Sequence, residues 1–170
     1  GRVVDDQIYT LDSLKDAVRL ASGLQADKSL DQASQDRALV ALARFGERLR
    51  GLPQDAVRAV ATNALRVAKN ANSFLVQAEA ALGFPIEIIA GREEARLIYI
   101  GAVHSLPASD QQRLVFDIGG GSTEFIIGSG MKPIKLESLF MGCVSYSLRY
   151  FPDGMIDRRR LREAQMAAAK

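Results

Sequence analysis

Two carboxylates, three glycines and two hydroxyls fall together in Asp117-Ile118-Gly119-Gly120-Gly121-Ser122-Thr123-Glu124, and that combination suits phosphate chemistry. Glycines lack Cβ atoms, so a Gly119-Gly120-Gly121 turn can take positive φ and bring its N–H groups against an anion. Ser122 and Thr123 add hydroxyl donors to the same concavity. Asp117 and Glu124 bracket the turn, where carboxylates suit a hard cation such as Mg²⁺, directly or through its waters. A plain turn would need neither the acids nor the hydroxyls. Other nucleotide-binding patterns do not fit: the residue three beyond Gly121 is Glu124 rather than glycine, and no Gly-Lys-Ser/Thr triplet occurs for a P-loop.

Two further groups sit where a strand should meet a helix. Thr62-Asn63-Ala64-Leu65-Arg66 follows the apolar run Ala56–Ala61, which places Arg66 one turn into a helix. Open α/β sheets bind ligands at the carboxyl ends of their strands, and a guanidinium there can fork onto phosphate. Gly91-Arg92-Glu93-Glu94-Ala95-Arg96 opens another helix after Ile86–Ile89. Acids in a first helical turn complement the positive end of the helix dipole, which accounts for one of the glutamates. Adjacent helical residues point about 100° apart, so Glu93 and Glu94 cannot share one role.

These motifs, with Met141-Gly142-Cys143-Val144, resemble the exopolyphosphatase and guanosine pentaphosphate phosphatase family, in family order and over nearly the whole chain. The resemblance implies a ribonuclease-H-like α/β fold of the actin, sugar-kinase and Hsp70 ATPase type. It implies hydrolysis of terminal phosphoanhydride bonds of inorganic polyphosphate or guanosine pentaphosphate, assisted by Mg²⁺ or another divalent cation. Glu94 becomes the general base that takes a proton from the attacking water. Arg66, Gly119, Gly120, Gly121, Ser122 and Thr123 become phosphate ligands, with Asp117 and Glu124 at the metal. Family members begin with an earlier strand and an Asp-x-Gly-Ser-Asn-Ser phosphate loop, and continue into a second lobe. Residues 1–170 are therefore expected to form one domain, part of an N-terminal lobe, and to hydrolyse substrate poorly alone. The unpaired strand edges of such a sheet predict a homo-oligomer. The rivals are an ATP-dependent kinase of the same fold and a binding module that holds polyphosphate without turnover.

The elements that must position these groups follow from patterning. Arg2–Val4 and Ile8–Leu14 read as strands around an Asp5-Asp6 turn, with Ala17–Leu20 extending the second. Ser29 or Asp31 caps a helix carrying Ala38, Leu42, Phe45 and Leu49 at helical spacing, which ends before Gly51-Leu52-Pro53. A helical region over Ala64–Leu82 breaks near Asn70–Ser73, and Gly83-Phe84-Pro85 stops it. A helix over Arg92–Val103 follows the third strand. The alternation of strand and helix predicts parallel crossovers, and the glycine hairpin with Ile134–Phe140 completes a mixed sheet. A last helix spans Asp157–Lys170.

Composition bounds the rest. The 170 residues are 48% apolar with a net charge of +2, enough for a real core and not the balance of a strongly basic nucleic-acid binder. One histidine, His104, excludes a Ser-His-Asp triad and a histidine-rich zinc site. The one cysteine, Cys143, forms no internal disulfide and reads as a buried small residue. Arg158-Arg159-Arg160 with Arg162 reads as a solvated helix face. No apolar stretch approaches the ~20 residues of a membrane span, so the expected setting is cytoplasmic, with peripheral membrane attachment left open.

Overall fold

The computed structural model describes residues 1–5 and 7–169. Strands β1 (Arg2–Val4) and β2 (Gln7–Tyr9) form an antiparallel hairpin. Asp5 occupies the left-handed region at φ 50°, while Asp6 lies outside the described residues. The expected second strand stops at Tyr9, well short of Leu14, and Leu20–Gly23 forms a 3-10 turn where a strand extension was expected. Polar side chains hold the intervening backbone otherwise. Asp12 accepts the Ser13 N–H at 2.8 Å, and Asp16 is paired to Arg44 at 2.6 Å.

Helix α1 (Gln32–Leu49) is capped by Asp31, whose carboxylate accepts the Ser34 N–H at 2.6 Å; Ser29 bonds back to Asp27 instead. Strand β3 (Ala59–Ala61) runs into α2 (Asn63–Val67) and α3 (Ala71–Leu82), and β4 (Ile86–Ile88) returns parallel to β3. The expected helical break is real and held by Asn70. Its side chain accepts from Leu30 N at 2.8 Å and donates to Leu30 O at 3.0 Å. Leu30, Ala38, Leu65, Phe74 and Ala78 form the first buried cluster between these elements.

Helix α4 (Gly91–His104) lies on one face of a second sheet, β5 (Gln112–Ile118), β6 (Thr123–Ser129) and β7 (Lys132–Leu139), paired antiparallel in that order. Ala95, Tyr99, Val103 and Ile126 are its core. The tyrosine hydroxyl donates to Gly130 O at 3.0 Å. The chain is α/β with helices flanking parallel and antiparallel strands, as expected, but the pairing is divided among three sheets rather than gathered into one mixed sheet. Gly91 abuts Ser138, so the first turn of α4, and not a strand edge, meets β7.

The opposite face of the second sheet carries Leu114, Phe116 and Ile118, each about 60% exposed. Two helices follow, α5 (Cys143–Tyr150) and α6 (Arg158–Ala168), the latter where the last helix was expected and capped by Asp157; Lys170 lies outside the described residues. Helix α5 was not anticipated. Cys143 at its start is exposed rather than buried, because its backbone N–H and not its thiol is turned into the structure. His104 ends α4 with a buried Nε2. No helix among the described residues is long and apolar enough to cross a membrane.

Candidate active site

The glycine turn closes on itself through Gly119 N–H donating to Ser122 O at 2.9 Å. Its carbonyls are then spent on α5: Cys143 N–H donates to Gly119 O at 2.9 Å, and Val144 and Ser145 N–H both donate to Gly120 O, at 2.9 and 3.0 Å. In a trans peptide the N–H points opposite to the carbonyl. The N–H groups of Gly120 and Gly121 are thereby turned away from α5, and among the described residues they have no protein acceptor. Two adjacent N–H groups so directed make an anion-facing concavity.

None of these three glycines adopts positive φ, contrary to the expected use of their flexibility. Close approach requires glycine at position 121 instead. A Cβ on Gly121 would lie 2.1 Å from Asn63 Oδ1. The neighbouring chain is equally constrained, since a Cβ on Gly142 would lie 2.3 Å from Gly120 O and 2.4 Å from Gly121 N. Thr123 is turned inward, its hydroxyl donating to Met141 O, which commits that proton to packing. Ser122 is buried beside it.

Parallel pairing brings the carboxyl ends of β3 and β4 together, and with them the two strand-to-helix junctions. Arg66 Nη1 donates to Glu94 Oε2 at 3.0 Å and to Ile89 O at 2.8 Å. The two glutamates diverge. Glu93 takes Arg96 in a bidentate pair, both contacts at 2.7 Å, and that bond holds its carboxyl below the usual value. Burial pushes Glu94 up, and the nearby Glu124 carboxylate adds to the rise, against the opposing pull of Arg66.

Glu124 is 1% exposed and lies directly across the β5–β6 ladder from the exposed Asp117. One of its oxygens accepts from Ser138 Oγ at 2.8 Å, and no ion pair reaches it among the described residues. A buried carboxylate with spare lone pairs and no cationic side chain suits a bound cation. Among the described residues no three His, Cys, Asp or Glu side chains cluster as a complete ligand set. Two carboxylates plus waters and phosphate oxygens match the way Mg²⁺ is usually held.

Ser138 and Asn63 escaped the sequence reading. The signal for Ser138 was its register, across the β6–β7 ladder from Glu124. A Cβ on Gly91 would come within 2.7 Å of its Oγ, so α4 is seated on this serine. Ser138→Ala should therefore cost about 1.5–3 kcal/mol, the range for a hydrogen bond to a charged group, measured by urea unfolding at neutral pH. A variant as stable as the parent would show that Glu124 does not depend on it. Asn63 is 8% exposed, with Nδ2 buried and, among the described residues, without an acceptor. Lys69 and Asn70 sit by the Leu30 clamp, where Lys69 N–H donates to Lys28 O at 2.9 Å.

Fold and site together define a domain of the α/β class, with a glycine hairpin between two acids facing two strand-to-helix junctions. Within that class the chain belongs to the Ppx/GppA phosphatase family, whose sequence model matches residues 1–170. It is similar to the solved structure of an exopolyphosphatase-like protein, at 31% identity and a TM-score of 0.77 over 88% of this chain and 48% of that one. An exopolyphosphatase from Cytophaga hutchinsonii is 33% identical, with a TM-score of 0.73 over 83% of this chain and 45% of that one. The Aquifex aeolicus Ppx/GppA enzyme is 26% identical, with a TM-score of 0.72 over 95% and 54%. The chain spans about half the length of these relatives.

Proposed function

We propose that the protein hydrolyses the terminal phosphoanhydride bond of inorganic polyphosphate or guanosine pentaphosphate and releases orthophosphate. The observation that carries this reading is the placement of Glu94: a partly buried carboxylate, held by Arg66 at the ends of two parallel strands, near a glycine hairpin whose Gly120 and Gly121 N–H groups have no acceptor among the described residues. The carboxylate accepts a proton from a water that attacks the terminal phosphorus. Phosphoryl transfer asks little more of a protein than an oriented nucleophile and compensation of negative charge. Arg66 spends Nη1 on Glu94 and Ile89, which leaves its other N–H groups for phosphate oxygens. Asp117 and Glu124 would hold a divalent cation, which when bound supplies positive charge against those oxygens.

The direct test is orthophosphate release from polyphosphate and from guanosine pentaphosphate by the full-length protein, with and without Mg²⁺. Release that requires the cation supports the reading. ATP-dependent transfer to an acceptor, without orthophosphate release, would replace it with a kinase. A pH profile adds a second check. Glu94 must be ionised to act, and its pKa is raised, so the acid limb of kcat should fall at higher pH than an ordinary glutamate gives. A limb at or below the ordinary carboxylate range would exclude Glu94 as the base.

A further inference from the structure

We propose that Ser138 is a positioning residue for the cation site: its hydroxyl fixes the orientation in which Glu124 offers a carboxylate oxygen to a divalent cation. This rests on the reading above, in which Glu124 and Asp117 hold that cation.

Asp117, Glu124 and Ser138 form one row across the second sheet. Glu124 lies directly opposite Asp117 on β5 and directly opposite Ser138 on β7. Opposed residues of an antiparallel ladder project to the same face, with Cβ atoms about 4.5–5.5 Å apart. A carboxylate on one side and a hydroxyl on the other therefore flank the central glutamate. The Ser138 hydroxyl donates to Glu124 Oε1 at 2.8 Å, and among the described residues Oε2 has no hydrogen-bond donor.

The serine matters for geometry more than for charge. Glu124 is 1% exposed, and one neutral hydroxyl does not offset the cost of burying a carboxylate. It does occupy one oxygen and restrain the side chain, as the outer hydrogen-bond partners of metal ligands do. The serine is itself held. Gly91, at the start of α4, passes so close that a Cβ there would meet Ser138 Oγ at 2.7 Å and Ser138 Cβ at 2.8 Å. Ala95 and Tyr99 of that helix are buried with Ile126, two residues beyond Glu124, and seat α4 on this face of the sheet. Helix backbone thus closes one side of the hydroxyl, and the β6–β7 ladder sets the other. A carboxylate ordered before the cation arrives loses less freedom on binding it. Because α4 begins against Ser138 and carries Glu94 in its first turn, one side chain is also the common reference for both carboxylates of the reaction.

The test measures the affinity of the full-length protein for Mn²⁺ by calorimetry without substrate, so the result does not depend on turnover. Ser138→Ala removes the donor, and the Kd for Mn²⁺ should rise by about tenfold to a hundredfold. Ser138→Cys substitutes a weak S–H donor, should shift the Kd in the same direction, and decides the matter if Ser138→Ala fails to fold. Glu124→Gln should abolish the binding and so assign it to this row; binding that survives this change would overturn the proposal. Phe74→Leu, in the first buried cluster, lowers stability without touching the row and should keep the parental Kd. A loss in Phe74→Leu equal to that in Ser138→Ala would reduce Ser138 to general support and overturn the positioning role. Parental affinity in Ser138→Ala would overturn it too, and would leave the cation reading intact. A parent that binds no Mn²⁺ would end the cation reading and the proposal with it. Binding that depends on Ser138 in a protein that releases no orthophosphate would support the proposal and end the hydrolase reading alone.

Discussion

Glu94→Gln should lower kcat by about a thousandfold, in the middle of the range that a positioned general base supplies, while polyphosphate affinity stays near that of the parent. The amide keeps the size of the carboxylate and can still accept from Arg66, so the junction of β3 and β4 is preserved while the proton acceptor is lost. Glu93→Gln is the matched control. That neighbour is engaged with Arg96 and points away from the site, so its kcat should hold. Single-turnover release of orthophosphate separates chemistry from binding. Turnover by Glu94→Gln within tenfold of the parent would assign the base elsewhere; lost turnover with lost binding would make Glu94 a scaffold for Arg66.

The second large effect concerns a residue that touches no substrate. Gly142→Ala should destabilise the fold by about 3 kcal/mol, at the upper end of the usual cost of forcing atoms into a packed interior. The added carbon would meet Gly120 O, Gly120 C and Gly121 N at 2.3 to 2.4 Å, all backbone atoms that cannot rotate aside. Gly120→Ala provides the contrast. Its Cβ would meet Val144 Cγ2 at 3.5 Å and Ala21 Cβ at 3.7 Å, ordinary contact distances. Urea midpoints should therefore separate the two alanine variants, with activity falling alongside stability only in Gly142→Ala. Equal midpoints would mean that the turn does not rest on α5.

Much of this site was legible because its chemistry is local in sequence. The acids, glycines and hydroxyls of 117–124 fold back on one another within a single hairpin, so their order alone put Asp117 and Glu124 on either side of the turn, and the register then sets them opposite each other. The junctions at Thr62 and Gly91 were legible for a similar reason, an apolar run ending where a helix begins. Ser138 and Asn63 were not. One matters through a ladder register and the other through a contact between distant segments, which the Thr62–Arg66 motif around Asn63 does not reveal. Helix α5 stayed hidden because its first N–H groups are satisfied by carbonyls of the glycine turn, so no side chain had to announce the start. The overrun of β2 has the reverse cause, since a strand needs a partner as well as a suitable pattern.

With Cys143, Val144 and Ser145 all tethered to Gly119 and Gly120, the turn and α5 behave as one lever. A tilt of the helix swings two peptide planes and re-aims the N–H groups on their far side. Anything that grips Tyr146 or Tyr150 along that helix would reach the glycine turn without touching it.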